Sequence, residues 1–218
     1  MKTIHRARFK LIGEKGDEKL KGHTVTICGL GSVGSTAAEV LAREDFDLRL
    51  IDRGRVEEED MARLNLFVEE DITKFKVKQA KHRVEEINPR VQVKCFHEDL
   101  NDANVFLVKS DLVIDTTNQP EVNRLIFDHC QKEKIPLIYI RYSGSRVKVL
   151  VATKRINAKY FDVLSDVGNV TEEGVYSGTT MLGSMIVINR IFKHFLGDTG
   201  SYLLEADAWT GKYKSKKL

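Results

Sequence analysis

The chain has 218 residues, 42% hydrophobic and 31% charged, and 35 Lys and Arg against 32 Asp and Glu leave a net charge of +3. That length and apolar content support a packed core without staples, and the near-balance of charge excludes a general polyanion-binding field. No apolar run reaches membrane-spanning length and the first residues lack a signal segment, so a cytoplasmic protein without membrane contact is expected.

Residues 1–22 read as a charged lead-in with Leu11, Ile12 and Leu20 as its buried contacts and Gly13, Gly16 and Gly22 as breaks. Residues 24–28 are β-formers and predict a strand. It runs into Gly29-x-Gly31-x-x-Gly34, and a helix over 32–44 follows, with Val33, Ala37, Val40 and Leu41 at a period near 3.6. In that setting each glycine has a physical task. Gly29 lets the chain turn off the strand, Gly31 clears the way for a phosphate to meet backbone N–H groups, and Gly34 lets the helix approach the sheet. Ser32 opens the helix, whose N-terminus offers free donors and partial positive charge. Phe46–Ile51 predicts a second strand ending at Asp52, an acid placed to meet ribose hydroxyls.

Residues 53–75 are irregular and charged, then 76–87 predict a helix stopped by Asn88-Pro89. Strands are expected at Val91–Phe96, Leu112–Asp115, Ile135–Ile140 and Ser145–Thr153, with a short helix at Asp102–Lys109 and a longer one at Glu121–Glu133. Residues 154–177 read as a polar crossing connection, long enough to suggest function. Thr179–Leu196 predicts a helix apolar on more than one face, buried in the core or in a dimer contact, and Tyr202–Trp209 with Lys212–Ser215 a closing hairpin around Thr210-Gly211. Lys212, Lys214, Lys216 and Lys217 read as a solvated end. The alternation predicts an α/β, Rossmann-like doubly wound sheet, mostly parallel, with antiparallel C-terminal strands. Without repeats or a low-complexity linker, residues 1–218 read as one domain: lead-in, nucleotide-binding core over 24–152, crossing loop over 154–177, and C-terminal helix and hairpin over 178–218.

Cys28, Cys95 and Cys130 form no C-x-x-C pair, which excludes a four-cysteine zinc knot and a disulfide framework; all three are expected as small core residues. The histidines (His5, His23, His82, His97, His129, His194) are scattered and read mostly as surface or boundary residues.

In this order the chain resembles the ThiF/MoeB branch of the ubiquitin-activating-enzyme superfamily. The resemblance rests on Gly16-Asp-Glu-Lys-Leu-Lys21, the complete glycine loop, Asp52, and Arg63 with Lys76 thirteen residues on. It extends to Ile87-Asn-Pro89, Asp115-Thr-Thr-Asn118-Gln119, Met181-Leu-Gly183-Ser184 and Asp207. It implies ATP-dependent adenylation of a carboxylate, most often the C-terminus of a ubiquitin-like or sulfur-carrier protein, by a homodimer using ATP and Mg²⁺. By that resemblance Gly29, Gly31, Ser32, Gly34, Asp52, Arg63, Lys76 and Asn118 bind nucleotide, with Arg63 and Lys76 the catalytic cations. An N-terminal arginine, Arg6 or Arg8, would reach the neighbouring subunit's site. Departures are specific. The family's metal aspartate is Asn118, a weak, neutral ligand; its signature asparagine is Asp60 and its glutamine Leu64, with Asn65 adjacent. The crossing segment has no cysteine and the zinc-binding pairs are missing, so neither a thioester step on this chain nor structural zinc is expected.

Three other readings remain open. One is the superfamily branch that activates and cyclises a carboxylate on a modified tRNA nucleoside, which the +3 charge disfavours mildly and the terminal lysines leave open. Another is a catalytically weak nucleotide-binding or scaffold subunit, to which Asn118, Asp60 and Leu64 point. An NAD dehydrogenase, the generic reading of the glycine pattern, is the least favoured, because a hydride-transfer histidine in a second catalytic pattern is not visible.

Overall fold

The computed structural model describes residues 6–168 and 170–218. Eight strands form one sheet in the spatial order β3-β2-β1-β4-β5-β6-β7-β8. The first five in chain order are β1 (Thr24–Cys28), β2 (Asp47–Ile51), β3 (Val93–Phe96), β4 (Leu112–Asp115) and β5 (Leu137–Ser143), and all pair in parallel. β6 (Arg146–Ala152), β7 (Tyr202–Asp207) and β8 (Tyr213–Lys217) extend the sheet antiparallel. The expected Rossmann-like sheet with antiparallel C-terminal strands is therefore the observed one. β1 is flanked by β2 and β4, so strand order reverses there and a crevice opens at the strand ends.

Two apolar layers cover the sheet. On one face α2 (Ser32–Arg43), α3 (Lys76–Ile87) and α7 (Ser177–Phe195) bury Val33, Ala37, Leu41, Val77, Ala80, Val84, Val187 and Ile191. On the other, α4 (Pro120–Glu133) buries Ile126, Phe127 and Cys130. The crossing segment joins that layer as short turns, α5 (Lys159–Asp162), a 3₁₀ turn at Val163–Val167 and α6 (Val170–Glu173), with Leu164 fully buried and Phe161 stacked on Tyr139. Of α7's apolar residues, Met185 is 57% exposed, so its outward stripe is not core. The expected helix at 102–109 is a 3₁₀ turn, Val105–Val108.

The lead-in differs from expectation. It is a helix, α1 (Arg6–Lys19), kinked where Gly13 takes φ 72°, and Gly16 lies inside it rather than breaking it. Leu20 is fully buried and Ile12 packs on the core, but Leu11 is 86% exposed, because adjacent positions on a helix point about 100° apart. Residues 1–5, including His5, lie outside the described residues. The terminal lysines are solvated as expected, and Lys214, Lys216 and Lys217 lie on β8, the second arm of the closing hairpin and an exposed edge strand whose charges discourage further strand pairing. Cys28 and Cys130 are buried, whereas Cys95 is half-buried against the core. Among the described residues no helix is long and apolar enough to cross a membrane.

The lead-in packing is testable by denaturant unfolding. Leu20→Ala should cost about 2–5 kcal/mol, the range for emptying a buried leucine site. Leu11→Ala should stay within about 0.5 kcal/mol.

Candidate functional site

The three glycines have three different surroundings. Gly29 turns at φ 90°, and a Cβ there would lie 2.8 Å from Thr116 Oγ1. Its N–H donates to the Ile51 carbonyl at 2.9 Å, which ties the turn to β2. A Cβ on Gly34 would lie 1.9 Å from the Gly29 carbonyl oxygen, so α2 sits directly on the turn. A Cβ on Gly31 would meet nothing within 4 Å. Gly31 is also the N-cap of α2 and provides no side-chain cap, which leaves the first-turn N–H groups facing that open space.

Asp52 is anchored by backbone donors. Leu30 N–H reaches Oδ2 and Gly54 N–H reaches Oδ1, each at 2.6 Å. The carboxylate thereby pins the glycine loop to the turn after β2, and each oxygen keeps a further lone pair. It lines a small open cleft with Gly29, Leu100, Thr117, Gln119 and Val122 among its walls.

Arg63 and Lys76 come together, and the reason is tertiary. The 53–75 loop doubles back on itself: Val56 N–H donates to the Lys74 carbonyl at 2.9 Å, Thr73 N–H to the Val56 carbonyl at 2.8 Å, and Lys76 N–H to the Gly54 carbonyl at 3.0 Å. This places the start of α3 beside the 3₁₀ turn Glu58–Ala62. There Asp60, 4% exposed, accepts from Lys76 Nζ at 2.8 Å and lies 4.0 Å from Arg63 Nη2. Asp60 Oδ2 also accepts the Glu57 N–H at 3.0 Å, and Arg63 Nη2 pairs with Glu59 at 2.8 Å. Both cations are thus held by carboxylates of their own loop. The i,i+3 spacing of Asp60 and Arg63 was readable as a local pair; the grip on Lys76 had no sequence signal.

Tyr142, near the end of β5, also belongs to this end of the sheet and carried no motif. Burial pushes its phenol up, and the neighbouring Ser32 hydroxyl and Arg63 charge oppose that. Ser32 is itself buried. Leu64, at the signature's glutamine position, is 4% exposed, a core residue without a polar role; Asn65 faces the surface and its amide meets Met181 Sδ at 3.8 Å.

Asp115 is fully buried and bonded throughout. It accepts from Thr117 N–H at 3.0 Å, Thr117 Oγ1 at 2.9 Å and Asn123 Nδ2 at 2.9–3.0 Å. Burial raises its carboxyl, and these bonds counter it. Asn118 is exposed and has a left-handed φ of 52°, a conformation that Asn and Asp tolerate best. Among the described residues no three His, Cys, Asp or Glu side chains group as metal ligands. One neutral amide oxygen beside a saturated Asp115 does not make a resident Mg²⁺ site; a divalent ion fits here only as the companion of a bound polyphosphate.

Arg8 has partners within its own chain. It is 10% exposed and pairs with Asp17 and Glu44, tying α1 to the end of α2. The side chain of Arg6 lies outside the described residues.

Residues 5–218 match the model of the ThiF family. The chain belongs to the ThiF family. Curated relatives include the sulfur carrier protein ThiS adenylyltransferase of Bacillus subtilis, 32% identical over 63% of this chain and 42% of that protein. The molybdopterin-synthase adenylyltransferase of Haemophilus influenzae is 29% identical over 65% of this chain and 58% of its own length. A tRNA threonylcarbamoyladenosine dehydratase of B. subtilis is 34% identical over 58% and 52%. The matches thus span about half the length of these curated relatives. Among solved structures, Escherichia coli MccB crystallised with ATP superposes with a TM-score of 0.82 at 17% identity, covering 99% of this chain and 71% of that one. At that identity the likeness shows the fold alone.

The glycine geometry separates stability from binding. Gly34→Ala should destabilise by about 3 kcal/mol, since the Cβ collides with backbone. Gly31→Ala should stay within about 1 kcal/mol in urea unfolding yet weaken nucleotide binding in calorimetric titration.

Proposed function

We propose that this ThiF-family protein adenylates a carboxylate, and that the C-terminus of a ubiquitin-like or sulfur-carrier protein is its substrate. The observation that carries this reading is the convergence of the uncapped α2 N-terminus at Gly31, the Asp52 cleft, and the Arg63–Lys76 pair. Adenosine would occupy the cleft lined by Asp52, Leu100 and Gln119, with ribose hydroxyls on the free lone pairs of Asp52. The phosphates would lie over Gly31 and Ser32, within reach of Lys76 and Arg63. A carboxylate oxygen attacks the α-phosphorus, a P–O bond forms, and pyrophosphate departs with the electron pair of the bond that breaks. Negative charge builds on the phosphate oxygens in the transition state. Helix N–H groups, the Lys76 point charge and the Arg63 fork are donors of the kind that stabilise it. Asn118, oriented by its left-handed backbone, is the neutral group nearest this role in sequence. The partner's tail would run beneath the 154–177 crossing, and residues 1–218 would act as one adenylation domain. A cytoplasmic homodimer is part of the same proposal.

The reaction ends at the acyl adenylate on this chain. The crossing segment has no cysteine. Burial pushes the Cys130 thiol up to about 12 and the Cys28 thiol well above its usual range, so neither is a ready nucleophile.

A second reading is favoured by one observation, the exposed lysines of β8 beside a 34%-identical tRNA-modifying relative: a carboxylate on a modified tRNA nucleoside as substrate. A tRNA mobility shift that weakens steeply with salt would favour it.

The deciding assay is ATP–pyrophosphate exchange with ubiquitin-like proteins ending in two glycines. Exchange should appear only with the partner, and Lys76→Ala or Arg63→Ala should lower it about 10²–10³-fold. Normal ATP binding with no exchange for any carboxylate partner would leave a nucleotide-binding scaffold as the function.

A further inference from the structure

We infer that Asp60 is the internal counter-anion of the phosphate site: it pairs with Lys76, faces Arg63 and sets how many phosphate charges the site accepts. This rests on the nucleotide reading of the site. Three observations carry it. Asp60 is 4% exposed, so its charge is little screened by water, whereas its neighbour Glu59 has a side chain 71% exposed. It contacts both cations, Lys76 Nζ at 2.8 Å and Arg63 Nη2 at 4.0 Å. It accepts the Glu57 N–H at 3.0 Å, a backbone bond that orients the carboxylate toward Lys76.

The consequence is electrostatic. Two cations facing a polyphosphate would bring two positive charges; the buried Asp60 cancels one of them, and the solvent-exposed Glu59, paired with Arg63 at 2.8 Å, offsets the other only through water-screened contact. Lys76 is 14% exposed and therefore keeps an ion partner. That partner is Asp60; a bound phosphate would share Lys76 with it. The repulsion from Asp60 scales with ligand charge. It is absent for adenosine, modest for AMP, and largest for ATP without a divalent ion. A divalent ion travelling on the phosphates cancels part of that charge, which makes nucleotide affinity metal-dependent without a resident metal ligand from the protein. Asp60 is a positioning residue, and its effect is on the charge preference of the site.

Calorimetric titration with adenosine, AMP and ATP, each in EDTA and in Mg²⁺, tests this on the full chain. Asp60→Asn keeps the shape and an oxygen for the Glu57 N–H but removes the charge. It should tighten metal-free ATP at least tenfold, AMP less, and leave adenosine within twofold. Mg²⁺ should improve ATP binding more in the native protein than in the variant. A variant that weakens adenosine and ATP alike, or leaves their ratio unchanged, overturns the inference and makes Asp60 a purely structural residue of the 57–63 turn. Should the variant fail to fold, the native protein still decides. Metal-free ATP must bind within about threefold of AMP; a gain of tenfold or more from the added phosphates overturns the proposal. A native protein that binds none of the three ligands refutes the nucleotide reading itself, a result distinct from either of these.

Discussion

The close seating of α2 on the turn that leaves β1 is the constraint on which the candidate site depends. Nothing larger than hydrogen fits between the α-carbon of Gly34 and the Gly29 carbonyl. That approach fixes where the helix N-terminus points, and the missing side chain at Gly31 leaves it open. Asp52 completes the arrangement from the neighbouring strand by taking N–H groups on both sides of the crevice. A dipole end, a cleft and an acid are thereby held by backbone contacts, the least deformable part of the fold.

Around that rigid centre the charged groups are organised by pairing. Arg63 and Lys76 project from a loop and a helix start that meet only because the 53–75 loop folds back through backbone hydrogen bonds. Burying cations without partners is costly, and the loop supplies Asp60 and Glu59. The same logic operates at the other end of α2, where Arg8 is satisfied by Asp17 and Glu44. An arginine so used holds the lead-in helix in place.

The two faces of the sheet contribute differently. One carries α2, α3 and α7, and with them the open helix end at Gly31 and Lys76. The other carries α4 and the crossing segment, where Asp115, Asn123 and Thr117 form a saturated buried network beside Tyr139 and Phe161. Asp115 therefore stiffens the β4 end and has little bonding capacity left for a metal, while Asn118 beside it faces solvent.

Much of this was legible in the chain. Periodicities of 3.6 and runs of β-formers located α2, α3, α4, α7 and the main strands to within a few residues, because these elements bury one stripe or both faces. The glycine loop and Asp52 were legible because a tight turn, a close helix and an acid at a strand end are local requirements. The exposure of Leu11, the partners of Arg8, the partial burial of Tyr142 beside Ser32, and the hold of Asp60 on Lys76 were not. Each depends on which distant segment packs against the residue, and local pattern carries no record of that. The sequence by itself determined a Rossmann-like α/β fold and the residues of its glycine loop. The charge that loop presents was decided only by the tertiary structure, because a cation's effect depends on the carboxylate that folding brings to it.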